Sequence, residues 1–188
     1  IENKILTVHN IIPGELEYFD NYKLIKENCG KIRVSFWGFI REKELNIQII
    51  KKFSSDDRFE LHYYGREQQI ANELRKFVNE QSLNNVFFHG EYKPEEKKEF
   101  ALNTDIIHNV YNDKQISLAM TNKYYDGVIF KRPQICMTGS FMGELVSQKK
   151  IGLNVSPWDS NFTQEVFSYW KNLNCDEFHL ACEEEIAR

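Results

Sequence analysis

No run of basic residues is dense enough to track a nucleic-acid backbone. The lysine pairs 51 and 52, 97 and 98, and 149 and 150 stand isolated in a chain of net charge -4, so no DNA or RNA partner is expected. Cysteine is equally uninformative. Cys29, Cys136, Cys175 and Cys182 show no C-x-x-C or other metal-ligand spacing, which argues against a zinc site and for reduced thiols in a cytoplasmic setting. Apolar runs stay well short of the roughly 20 residues that span a bilayer, and the amino terminus lacks a signal-peptide layout. No internal repeat or low-complexity tract occurs. No Ser-His-Asp or Cys-His set can be assembled with a spacing rationale, and no Asp-x-Asp metal motif is evident.

What remains is an ordinary globular composition. Of 188 residues, 41% are hydrophobic and 28% charged, enough to bury a real core. Fourteen Phe and nine Tyr read as an aromatic core with Tyr at its rim. Short apolar runs alternate with stretches of helical period. The expected strands are 31–38, 58–65, 85–90, 105–111, 132–139 and 150–155, and the expected helices 42–53, 66–81, 94–103, 117–130, 140–148, 159–172 and 176–186. VSFW and DIIHNV are apolar on both faces, as strands covered on both sides must be. The pattern predicts an α/β, doubly wound, Rossmann-like parallel sheet of about six strands over 31–158, with carboxyl-terminal helices from 159 to 188 packed on it. Residues 1–30 read as a linker or the remnant of a preceding domain. The start at Ile1, inside strand-like KILTVHNII, suggests a piece of a longer protein.

In such a sheet, ligands gather outside the carboxyl ends of the strands. After the first strand, GFIREKEL places Gly38, Arg41 and Lys43 where two cations and a helix amino terminus suit a diphosphate, or are merely solvated. Gly65 in YYGREQQ permits close approach, and Tyr92 and Lys93 sit on the turn before Pro94. Gly139, Ser140 and Gly143 make a small-residue turn that is weak evidence of an anion cradle. Asp126 and Glu144 are acids without an obvious surface role. His62, His89 and His108 lie within strand patterns and read as buried histidines satisfied by backbone, not as catalytic bases.

Taken in order, these turns resemble the carboxyl-terminal, nucleotide-sugar-binding domain of GT-B glycosyltransferases, specifically the family-four (group 1) enzymes of capsular and exopolysaccharide synthesis. The resemblance spans about 31 to 156. Its elements are SFWGFIREKEL, then NKYYDGVIFKRPQI with Asn122, Lys123, Asp126 and Pro133, then TGSFMGELV and KKIGLNV. It implies that Gly38, Arg41 and Lys43 contact the donor diphosphate and that Gly139 and Ser140 lie near the phosphates or the sugar. It places Asp126 on the ribose hydroxyls, and Gly65 and Tyr92 beside the nucleobase. It further implies a UDP- or GDP-sugar donor, no required cofactor, retention of configuration, and a glycan or lipid-linked acceptor bound by a missing amino-terminal domain. Location would be cytoplasmic, with peripheral association at the inner membrane face. One departure stands out: the family's E-x7-E pair requires an acid where this chain has Leu118. A nucleotide-sugar epimerase of the same fold and a non-catalytic Rossmann-like binding domain are the competing readings.

Overall fold

A computed structural model of the chain describes residues 19–24, 26, 30–66, 68–112 and 118–187. The strand-like KILTVHNII lies outside these residues. Six strands form one sheet: β1 (Ile32–Trp37), β2 (Phe59–Tyr64), β3 (Val86–Gly90), β4 (Ile106–His108), β5 (Gln134–Met137) and β6 (Gly152–Val155). Their order is β3-β2-β1-β4-β5-β6, and every neighbouring pair is parallel. The order reverses between β1 and β4, which opens a crevice at their carboxyl ends.

The helices are α1 (Lys43–Ser54), α2 (Gln69–Glu80), α3 (Lys97–Leu102), α4 (Asn122–Ile129), α5 (Phe141–Gln148), α6 (Phe162–Asn172) and α7 (Cys175–Ile186). A 3-10 turn, Pro94–Glu96, leads into α3. Alternation along β1 divides the sheet into two faces. Ile32, Val34 and Phe36 join the large core with Leu45, Ile49 and Phe53 of α1 and Leu74 of α2, and Phe162 of α6 meets Phe53 there at 5.2 Å. Trp37 points to the other face, where it packs with Phe100 and Ala101 of α3, Ile107 of β4 and Ile129 of α4.

Part of the segment expected to be a linker is packed on the domain. Phe19, Tyr22 and Leu24 are buried, the backbone N–H of Leu24 donates to His179 Nε2 of α7 at 2.9 Å, and Lys26 donates to three carbonyls at the end of α6. The carboxyl-terminal helices are tied down as firmly: the Tyr124 hydroxyl donates to Glu185 at 2.6 Å and Lys131 pairs with Glu183 at 3.0 Å. Helix α4 begins at Asn122, later than the expected 117, and 113–117 lie outside the described residues.

Candidate functional site

The crevice at the switch point is a cavity of about 440 Å³. Its walls come from the ends of β1 (Trp37, Gly38, Phe39, Arg41), the turn after β3 (Tyr92), the starts of α3 (Lys97) and α4 (Asn122, Lys123, Asp126), and Tyr111 beyond β4. A second hollow of about 480 Å³ shares Gly38, Phe39 and Tyr92 with it and continues over Gly65 and Arg66. The two form one cleft across the ends of β1, β2 and β3. Of the residues singled out in the sequence, Gly38, Gly65, Arg41, Tyr92, Asn122, Lys123 and Asp126 meet along it.

Backbone geometry explains both glycines. Gly38 has φ 110, a conformation L side chains rarely adopt, and a Cβ on Gly65 would collide with the Gly38 carbonyl oxygen. The ends of β1 and β2 therefore pass each other at backbone contact.

Asp126 is buried on the inner face of α4, 5% exposed. Its Oδ2 accepts the Trp37 indole N–H at 2.7 Å and its Oδ1 accepts Lys97 Nζ at 2.9 Å. Both oxygens are thus oriented while each keeps a lone pair. Neither Lys97 nor Trp37 stood out in the sequence: they lie 29 and 89 residues from Asp126, and no local pattern joins them.

Lys123, one turn before Asp126, is 6% exposed. Among the described residues its ammonium donates to the Trp37 carbonyl at 3.0 Å and lies 4.3 Å from the Phe36 ring centre and 5.1 Å from that of Tyr111. The nearest acid, Asp126, is ion-paired with Lys97 instead. Burial pushes the Lys123 pKa down to about 8, partly offset by Asp126, and Arg41 lowers it further. Among the described residues three cations, Arg41, Lys97 and Lys123, and one carboxylate line the cavity. With Lys123 protonated, two positive charges are in excess.

The remaining candidates sit elsewhere. Lys43 pairs with Glu73 of α2 at 2.7 Å, a contact that raises its pKa, and it does not line the cavity. Ser140 caps α5: its Oγ accepts the Gly143 N–H at 3.0 Å and donates to the Met137 carbonyl at 2.7 Å. Gly139, with φ 77, makes the preceding turn, and Glu144 is solvent-exposed. The Gly139–Ser140 turn follows β5, two strands from β1 in the sheet.

The histidine expectation holds for one of three. His108 Nδ1 accepts the Val110 N–H at 3.2 Å, and full burial pushes its pKa down to about 3. His62 is buried but its Nδ1 meets His89 Nε2 of the neighbouring strand at 2.9 Å rather than backbone, and His89 is exposed. Among the described residues no three His, Cys, Asp or Glu side chains gather as a metal site, and no helix is long and apolar enough to cross a membrane.

The sequence matches no family model and no curated protein. The fold has solved counterparts. The chain superposes on the carboxyl-terminal domain of a group 1 family glycosyltransferase, LpcC of Francisella tularensis, with TM-score 0.60 and 13% identity, over 93% of this chain and 88% of that domain. HepE of Anabaena, in complex with UDP, matches with TM-score 0.64 and 13% identity over 84% of this chain and 44% of its own. A glycosyltransferase from Rickettsia africae matches with TM-score 0.61 and 15% identity over 93% of this chain and 46% of its own. The chain therefore spans under half the length of the latter two proteins. At these identities the likeness shows the fold, a Rossmann-like α/β domain matching GT-B carboxyl-terminal domains.

Proposed function

We propose that this chain is the donor-binding half of a glycosyltransferase and that its cleft holds a UDP- or GDP-sugar. The observation that carries the reading is Lys123: a buried ammonium that lines a cavity beside Arg41, with its neighbouring acid committed to Lys97. Among the described residues Lys123 has no acid of its own, a buried charge of that kind is unfavourable, and an anionic ligand in the cavity relieves it. The two excess positive charges match the two negative charges of a nucleotide diphosphate sugar.

In this reading the diphosphate lies between Arg41 and Lys123. As the anomeric C–O bond breaks, negative charge grows on the leaving phosphate, and fixed cations in a water-poor cleft stabilise it. Arg41 supplies a planar fork and Lys123 a point charge. Lys43, paired with Glu73 and not lining the cavity, is secondary. Asp126, held by Trp37 and Lys97, accepts from the ribose hydroxyls with its remaining lone pairs. The nucleobase lies over Gly65, between Phe39 and Tyr92. HepE in complex with UDP, and separately with UDP-glucose, has the same fold, which supports the choice of ligand.

Sugar transfer itself, with retention and to a glycan or lipid-linked acceptor in surface polysaccharide synthesis at the cytoplasmic membrane face, belongs to a protein that contains this chain together with an acceptor-binding half. Calorimetry tests the donor site. UDP or GDP is expected to bind saturably, and Arg41→Ala to weaken binding about tenfold, the scale of one charge-assisted hydrogen bond. Absence of saturable binding by either nucleotide would overturn the reading.

A further inference from the structure

The turn that carries Arg41 has an unusual conformation. Glu42, the residue before α1, is left-handed at φ 57, ψ 76 and makes no side-chain cap on its helix. A helix usually starts from an extended Ser, Thr, Asp or Asn, and a left-handed Glu is strained. Such strain persists only where the surroundings over-determine it.

Asn46, in the first turn of α1, supplies that constraint. It is 3% exposed, and its Nδ2 donates to the carbonyls of both Arg41, at 2.6 Å, and Glu42, at 3.1 Å. Its Oδ1 accepts the Tyr63 hydroxyl of β2 at 3.0 Å and lies 3.5 Å from His108 Nε2 of β4. Tyr63 is a donor here, so the amide can take only one orientation, with its N–H groups toward the turn. The Glu42 carboxylate secures the far side by accepting the Asn112 N–H at 3.1 and 3.0 Å. Asn46 and Tyr63 do not line the cavity, but Arg41 does.

We propose that Asn46 is a positioning residue that fixes the Arg41–Glu42 turn and so aims the Arg41 guanidinium at the diphosphate of a bound nucleotide. The inference rests on the reading of the cleft as a nucleotide diphosphate site. Arg41 itself is exposed, with its guanidinium 4.9 Å from the Phe39 ring centre, and a free turn would let it sample many directions. Pre-setting the backbone removes that entropy before the ligand arrives.

The test titrates UDP and uridine, and GDP and guanosine, into the parent chain and the variants Arg41→Ala, Asn46→Ala, Tyr63→Phe and Asn46→Ala/Arg41→Ala. Amide NMR shifts report weak and strong binding alike. Asn46→Ala should lower diphosphate affinity about five- to tenfold with nucleoside affinity changed less than about twofold. Tyr63→Phe, which keeps the ring packing, should give about threefold in the same sense. In the double variant, loss of Asn46 should have no further effect, because the group it aims is gone. If the parent binds neither diphosphate, or Arg41→Ala binds as the parent does, the reading of the cleft fails and the inference with it. If Arg41→Ala weakens diphosphate binding while Tyr63→Phe changes nothing, or the losses at Asn46 or Tyr63 fall equally on nucleoside and diphosphate or add to that of Arg41→Ala, the Asn46 inference alone is overturned. Should Asn46→Ala fail to fold, Tyr63→Phe combined with Arg41→Ala decides by the same criteria.

Discussion

Lys123 sets stability against binding. Moving its pKa from 10.5 to about 8 corresponds to a destabilisation of the order of 3 kcal/mol at neutral pH. Because the folded pKa is the lower one, this penalty is present in full below about pH 8 and is relieved as pH rises from there toward 10.5. Lys123→Met should therefore leave the melting temperature unchanged or higher while removing nucleotide binding, the combination expected of a functional charge. The same value gives a pH dependence. A bound diphosphate raises the lysine pKa, so nucleotide affinity should fall as pH rises above about 8, with proton uptake visible as a buffer-dependent heat in calorimetry. At Asp126, replacement by Ala removes an acceptor for Trp37, Lys97 and the ribose, and should weaken nucleotide binding by about 1 to 3 kcal/mol. An unchanged affinity for ribo- over 2′-deoxyribonucleotide in that variant would remove Asp126 from the ribose.

Among the elements, strands and helices were legible because each carries its own period. The short β4 (Ile106–His108) and β5 (Gln134–Met137) are buried along their whole length, and α2 and α6 repeat their apolar residues at helical spacing. Glycines at strand ends marked the cleft mouth, since Gly38 and Gly65 are needed for backbone contact. The Lys97–Asp126–Trp37 cluster was not legible, because it joins α3, α4 and β1 only after folding. Nor was the division of labour between the two anion-cradle candidates. TGSFMG reads as well as a ligand turn as it does as a helix cap, and Ser140 makes the cap. Ser140→Ala should lower stability by about 1 kcal/mol, as read by chemical denaturation. Gly65→Ala should destabilise more, because its Cβ would meet a carbonyl oxygen rather than a movable side chain.

At the scale of the whole molecule, the carboxyl rim of the parallel sheet carries, among the described residues, exposed Phe39, Phe141 and Trp158 as well as the cleft. HepE and the Rickettsia glycosyltransferase are each more than twice as long as the region matched. The chain alone should convert no UDP- or GDP-sugar, whereas the epimerase reading requires a new nucleotide sugar without any acceptor. The most direct test of the central claim is calorimetry of UDP and GDP with the parent chain and with Lys123→Met. The account predicts saturable binding by the parent that the folded variant loses. Absence of binding by the parent, or equal binding by both proteins, would contradict it.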